Sequence, residues 1–449
     1  MVNQLDHLKR WFESNPHFRE VLFGSSLGLF VKVLTAILAF MMNIVIARKL
    51  GPAEAGLFFL GFTLVVLLSS VGRMGLDNSV MRFVARARVA GDTVKLHGVY
   101  RKALLWGGGL CLLFMLVLLV SNQLLVNYVF EQPGFGAVLP IMVMALPLVG
   151  LYTLHVFALL GMKKIIAGVM VLTGIVPLTM LAGLLIFPVT RAQEVAWVYL
   201  VGCALALVIG VFFWHRAVPG TEQGADFPSD LLYASCMPLW GVVILGQVIQ
   251  WSSQLLMGVW GSVEDVALFA VAQRTAMLIG FALFAVNASA GPKFAALYSQ
   301  GDMAGLERVA LWSVRLILLL AVPSAIFMMV FPQWLMGLFG PQFQSGAVAL
   351  MILAVGQFIG TAVGSVGSLL SMTGHEPQLR WNVFIGAVLG VGLGVLLIPD
   401  YGLQLLRLRL PLHQKTCCAY IRSTGYWVLT HWPSGEKSRT ARVSCLKGV

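Results

Sequence analysis

Eleven apolar runs, each about long enough to cross the roughly 30 Å of hydrocarbon in a bilayer, leave this chain of 449 residues little choice of fold. They lie near residues 21–46, 56–76, 102–122, 137–161, 165–187 and 194–214, and then near 231–258, 266–290, 310–331, 345–372 and 380–399. A run of this length in lipid must bond its own backbone groups, which a helix does. Hydrophobic residues make up 59% of the chain and charged residues 11%, against about 25% charged in soluble domains. The expected fold class is an all-α polytopic membrane protein of about eleven transmembrane helices, with no room for a long polar domain.

The net charge of +12 is uneven: eight of the 30 basic residues and one of the 18 acidic residues follow Leu403, so residues 1–403 carry 22 basic against 17 acidic groups. A surplus of +5 spread over membrane loops is a topological bias and does not point to nucleic acid. With the N-terminus cytoplasmic, the inner segments hold sixteen Lys and Arg and the outer loops hold Arg48, Lys49 and Arg191. That imbalance predicts an N-in orientation. Residues 1–20, with Lys9, Arg10 and Arg19, read as a cytoplasmic amphipathic lead-in without a cleavage site. Cys111, Cys203 and Cys236 are isolated in apolar runs, so no disulfide framework is readable.

The chain also resembles itself. A shift of 210 residues aligns Gly51 with Gly261, Glu54 with Glu264, Phe59 with Phe269, Leu68 with Leu278, Ser79 with Ser289, Ala85 with Ala295, Gly91 with Gly301, Asp92 with Asp302 and Leu96 with Leu306. Each copy covers an outer loop, an inward-running helix and a Gly-Asp turn before a basic stretch. An offset of six helices keeps both copies in the same orientation, which predicts two parallel lobes around a central cavity. The lobes are expected at 21–214 and 231–403, joined by a cytoplasmic linker at 215–230, the second lobe having five helices.

Two stretches carry a resemblance to a known family. Ala47–Gly56 (ARKLGPAEAG) with Gly72–Ala85 (GRMGLDNSVMRFVA), and Val263–Leu306 with its Ala272-Gln273-Arg274, Gly291-Pro292 and Gly301-Asp302, resemble bacterial O-antigen and polysaccharide flippases. That family lies within the multidrug/oligosaccharidyl-lipid/polysaccharide exporter superfamily. The resemblance covers residues 20–403 and implies the flipping of an isoprenoid-pyrophosphate-linked oligosaccharide across the inner membrane by alternating access. It implies the lipid-linked sugar, the bilayer and polysaccharide-assembly membrane proteins as partners, no cofactor and no enzymatic step. After Leu403 the resemblance stops. Residues 404–449 are basic and Cys-rich, lack an apolar run of spanning length, and are expected to be a frameshift product or a basic tail on anionic lipid. His413, Cys417, Cys418 and His431 there fit no zinc spacing.

Ionisable groups inside spans are costly and therefore informative. Lys32 in the first span and Arg274 in the eighth supply one cation from each half and are candidate contacts for a pyrophosphate, Arg274 by a two-bond fork. Arg73 and Asp77, one helical turn apart, are candidates for substrate binding and ion coupling, or an internal pair. Gln247, Gln250 and Gln254 make a polar stripe on the seventh span that lines a sugar path or bonds to a neighbouring helix. His155, beside Tyr152, is a candidate proton sensor or a packing residue. Glycines 356, 360 and 364, and 386, 390 and 394, are expected to form ridges where helices approach closely. No phosphate-binding loop, metalloprotease motif or nucleophile elbow is present. Two rivals follow from the same fold: a cation-coupled multidrug exporter, which would want buried carboxylates of which Asp77 is the one clear candidate, and a peptidoglycan-precursor flippase. A membrane sugar polymerase would need a large outer loop that the chain lacks.

Overall fold

The computed structural model describes residues 16–218, 227–372 and 376–401. The lead-in up to residue 15, residues 219–226 of the linker and the basic tail lie outside the described residues. All regular structure among the described residues is helical. The first helical stretch, Pro16–Gly72, is 57 residues long and breaks at Gly51, whose φ of 69° and ψ of 177° suit glycine alone. Pro52 follows with its ring set for a new helix start. We name the two arms α1 (16–50) and α2 (52–72).

The chain continues through α3 (Leu76–Ala90), α4 (Thr93–Val120), α5 (Phe135–Gly161), α6 (Ile165–Ile186) and α7 (Ala192–Ala217). The second half contains α8 (Ser229–Trp260), α9 (Val263–Ala276), α10 (Gly280–Ser299), α11 (Met303–Val330), the short α12 (Pro332–Gly337), α13 (Ala347–Ala362), α14 (Val366–Met372) and α15 (Glu376–Tyr401). Among the described residues nine helices are long and apolar enough to cross a membrane. The first of them holds the α1–α2 hairpin and so crosses twice, and α15 holds a further apolar stretch, Val383–Leu396. Counted so, the described residues are compatible with the roughly eleven crossings that the hydropathy predicts. Leu105, Leu112 and Leu116 of α4, Val208 and Phe212 of α7 and Leu319 of α11 are exposed, an apolar outer surface that only lipid tolerates.

The Gly-Asp turns of the internal repeat have the same geometry. Gly91 and Gly301 have φ of 68° and 73°. Gly91 N donates to Arg88 O and Asp92 N to Ala87 O, while Gly301 N donates to Tyr298 O and Asp302 N to Leu297 O. Asp92 then caps α4 by accepting from Lys95 N at 2.9 Å, and Asp302 caps α11 by accepting from Gly305 N at 2.8 Å. The donated backbone bond holds the Asp92 carboxyl below the usual carboxylate range. Leu96 and Leu306 follow each turn and are buried in separate apolar clusters, one in each half.

The two ends of the bundle differ. At the end bearing the Gly51 turn, one apolar core joins the halves, taking Ile46, Phe59 and Met142 from the first and Val266, Phe343 and Leu350 from the second. Arg48 Nε donates to Leu338 O at 2.7 Å, and Phe40 meets Phe339 edge-on at 5.5 Å. At the other end the described clusters are distinct: Val80, Leu96 and Trp214 belong to one, and Val286, Phe294 and Leu306 to another. The bundle is therefore sealed across its halves at the end bearing the Gly51 turn. The first turns of α8 side with the first half: Cys236 joins its cluster, Ser79 and Ser235 share a 2.7 Å hydrogen bond, and Trp240 Nε1 donates to Val71 O at 2.8 Å.

Two sequence expectations need adjustment. The second crossing does not run on to residue 76 but ends at Gly72, because Met74 and Gly75 both take positive φ (53° and 69°) and start a new helix, α3. The glycine ridges close-pack only in part: around Gly360 and Gly386 no heavy atom lies within 4 Å of where a Cβ would sit, whereas at Gly364, which has a φ of 75° just past the end of α13, a Cβ would stand 2.7 Å from Val314 Cγ2. Small residues permit close approach but do not compel it.

Close approach is required elsewhere. A Cβ on Gly75 would stand 2.7 Å from Trp240 N and 2.8 Å from Cys236 O, in addition to the positive φ. Gly75→Ala is expected to lower the unfolding midpoint of the detergent-solubilised protein, since the left-handed backbone alone costs about 1–2 kcal/mol and the facing α8 backbone cannot yield as a side chain would. Gly241→Ala, with open space around it, is the control and should leave the midpoint unchanged or raised.

Candidate functional site

The seam between the halves is built by α2, α8 and α9. Ser262 and Asp265 fix the start of α9 with a reciprocal cap, Asp265 N donating to Ser262 Oγ at 3.1 Å and Ser262 N to Asp265 Oδ2 at 3.3 Å. Twelve residues on, at about 1.5 Å per residue, Arg274 comes roughly 18 Å into the membrane. Its guanidinium carbon lies over the ring of Phe59 at 4.1 Å and that of Phe62 at 5.3 Å. Its Nη1 is buried and has no hydrogen-bond partner. A group with five donors and no acceptor is thus left with an unspent donor in a dry place.

The glutamine stripe divides three ways. Gln254 is fully buried, its Nε2 donates to Phe59 O at 3.1 Å across the seam, and its Oε1 has no partner. Gln247 Oε1 accepts from the indole of Trp251 at 2.9 Å, and Trp251 in turn meets Phe62 at 6.4 Å. Gln250 is exposed and gives its backbone carbonyl to Gln273 Nε2 at 2.9 Å, tying α8 to α9. Periodicity alone did not foresee that only Gln254 faces the other half.

Lys32 is the second interior cation. Its Nζ stands 3.1 Å from the centroid of the Phe284 ring on α10, in the opposite half. Counted back from Gly51 at about 1.5 Å per residue, Lys32 is roughly 28 Å from the sealed end, toward the opposite end of the bundle. Among the described residues neither Lys32 nor Arg274 has a carboxylate partner.

Arg73 and Asp77 have satisfied each other. Arg73 Nε donates to both Asp77 oxygens at 2.9 and 3.1 Å, and Nη2 donates to Ser70 Oγ at 3.1 Å. The pair sits where α2 gives way to α3, side chains 10% and 13% exposed. His155 is likewise satisfied, between α4 and α5. Its Nδ1 must donate to Leu151 O at 2.8 Å, since a carbonyl only accepts, so Nε2 is the acceptor for Tyr100 OH at 2.7 Å. Tyr100 stacks on Trp214 at 4.0 Å. The structure therefore brings Arg274 and Gln254 together around Phe59, sets Lys32 apart on Phe284, and places Arg73, Asp77 and His155 inside the first half. Sequence reasoning did not assign roles to Phe59, Phe62 and Phe284, because aromatic residues in apolar helices carry no signal of their own.

A family model described as polysaccharide biosynthesis protein matches residues 21–298. The chain belongs to this family. An uncharacterised membrane protein of Methanocaldococcus jannaschii is 31% identical over 139 residues, which cover 30% of this chain and 26% of that relative. The matched stretch thus spans about a quarter of the curated relative. Among solved structures, the fold is similar to the lipid II flippase MurJ in an inward closed conformation (TM-score 0.69, 11% identity, covering 89% of this chain and 87% of that one). It is also similar to a multidrug resistance MATE transporter of the MOP superfamily in an inward-facing conformation (0.62, 13%, 88% and 99%), and to a MOP superfamily transporter from Pyrococcus furiosus (0.60, 14%, 90% and 96%). At these identities the likeness is one of fold, and it agrees with the all-helical, multi-pass architecture.

The Arg73–Asp77 geometry predicts a stability effect. Arg73→Ala and Asp77→Ala each leave a mostly buried charge unpaired and should cost about 3–5 kcal/mol, read as a lowered unfolding midpoint. The double variant should recover part of that loss. Additive losses would show that the two groups act separately.

Proposed function

We propose that this protein flips an isoprenoid-pyrophosphate-linked oligosaccharide across the bacterial inner membrane, supplying surface polysaccharide synthesis by alternating access. The observation that carries this reading is the pair of interior cations, one from each half, that lack a carboxylate partner among the described residues in a chain of the polysaccharide biosynthesis family. A pyrophosphate headgroup must cross a low-dielectric layer, and fixed cations along the way offset its lost hydration. The N-terminus is cytoplasmic in this reading, and polysaccharide-assembly membrane proteins are the partners on the far side. No cofactor is required.

The sealed extracytoplasmic end and the separate cytoplasmic clusters support a resting form that receives substrate from the cytoplasm. Lys32 lies nearer that entrance and Arg274 deeper, beside Gln254, whose free carbonyl oxygen suits a sugar hydroxyl. Arg73, Asp77 and His155 act in this reading as supports of the first half. The fold shared with a lipid II flippase favours one second reading, a peptidoglycan-precursor substrate, because that ligand presents the same kind of headgroup. A drug exporter for cationic compounds is disfavoured by the pairing of Asp77 with Arg73.

Lys32→Ala and Arg274→Ala should each lower transport about tenfold or more, the worth of a lost charge-assisted contact of about 1.5–3 kcal/mol, while membrane insertion is unchanged. The measurement is restoration of surface polysaccharide in a strain lacking the gene, together with the amount of sugar-loaded lipid carrier left inside. Full restoration by both variants would sink the cationic pathway. Accumulation of a peptidoglycan precursor would move the assignment to the second reading.

A further inference from the structure

We infer that each interior cation is held in reserve on an aromatic ring supplied by the opposite half, and that a phosphate-bearing lipid binds by displacing the ring. This rests on the flippase reading only in taking the ligand to be an anionic phosphate. The arrangement is reciprocal. Lys32 of the first half lies on Phe284 of the second, and Arg274 of the second lies on Phe59 and Phe62 of the first.

A ring face is a partner of intermediate strength. Its quadrupole attracts a desolvated cation, so the charge is kept at a depth where it would otherwise have nothing to face. A carboxylate would hold the same cation with a full opposite charge, and a substrate phosphate would then have to compete with an equal. Against a ring the phosphate wins, because it brings charge and directional hydrogen bonds together. A neutral lipid brings neither and leaves the cations on their rings. The rings thus act as positioning residues that select for anionic headgroups.

The two stations also differ. Phe284 is 40% exposed, so the Lys32 station is open to an arriving ligand. Around Phe59 the station is closed: Arg274 Nη1 lacks an acceptor and Gln254 Oε1 lacks a donor, both buried. By helix rise the second station is about 10 Å nearer the sealed end. A phosphate entering from the cytoplasmic side meets Lys32 first and fills the deeper donor next.

The test is binding of geranylgeranyl pyrophosphate to the full chain in lipid nanodiscs, with geranylgeraniol as the phosphate-free control. Phe284→Leu removes the competitor and keeps an apolar side chain at a half-exposed site, so the Kd should fall about threefold to tenfold, the scale of one cation–π contact. Phe62→Leu should tighten binding in the same direction, and Phe284→Tyr, which restores a ring face, should bind as the unaltered protein does. Lys32→Ala and Arg274→Ala should weaken binding about tenfold or more, and geranylgeraniol should bind all five variants alike. Unchanged or weaker binding by Phe284→Leu, with weakened Lys32→Ala, would overturn the displacement and leave the flippase reading standing. Unchanged binding by both cation variants would overturn the cationic pathway itself and this inference with it.

Discussion

A positive charge placed in hydrocarbon must be given something to face, and the interior of this protein gives its cations three different answers. Arg73 has a carboxylate and two serine hydroxyls within its own helical neighbourhood. Arg48 and Lys49, exposed beside the Gly51 turn, have carbonyls at the ends of helical segments: Leu338 O for the first, Leu184 O and Phe187 O for the second. Such ends carry unsatisfied acceptors and partial negative charge, so a cation there is structural. Among the described residues, Lys32 and Arg274 face rings and no carboxylate. The strength of the partner sorts the cations: those with full partners hold the fold together, and those with weak partners remain available to a ligand.

The same sorting explains why one end of the bundle is tight. Gly56 approaches the Val263 backbone so closely that a Cβ would overlap its carbonyl oxygen, and the Gly51 turn packs beside Gln342. Glycine backbones, helix-end caps and a shared apolar core therefore act together at the end bearing the Gly51 turn. On the other side the Gly-Asp turns recur with matching hydrogen bonds but cap two separate clusters. The repeat gives each half its own capped end there, which is what the proposed alternating access of two lobes requires.

Much of this was legible in the sequence. Long apolar runs with few charges have one outcome in lipid, so the number and approximate ends of the crossings follow from hydropathy. The Gly-Asp turn was readable because positive φ calls for glycine and a helix start calls for aspartate. The Arg73–Asp77 pair follows from one-turn spacing. The partners of Lys32 and Arg274 were not legible, because a cation–π contact between helices in opposite halves leaves no local pattern. The glutamine stripe shows a further limit: spacing puts Gln247, Gln250 and Gln254 on related faces, but only the packing of α2 decides that Gln254 is buried and Gln250 exposed. The glycine ridges were legible only in part for a related reason, since spacing allows contact, as at Gly364 beside Val314, without supplying a neighbour at Gly360 or Gly386.

The sign of the charge left over decides what the seam can carry. With Asp77 committed to Arg73, the seam between α2, α8 and α9 has an unfilled cationic donor and an unfilled neutral acceptor. A cationic ligand would meet Arg274 and Lys32 as like charges in a medium of low dielectric, a repulsion that no described carboxylate there relieves. An anion meets two attractions of graded depth. A bulky neutral sugar following that anion finds amide and indole groups on α8 that can exchange hydrogen bonds without changing charge. The separation of roles is spatial as well as chemical, because the charged contacts belong to helices of both halves whereas the glutamine and tryptophan groups lie on α8 alone. On the proposed reading, a headgroup bound between the halves replaces the contacts that join them, and its sugar remains on one wall while they move.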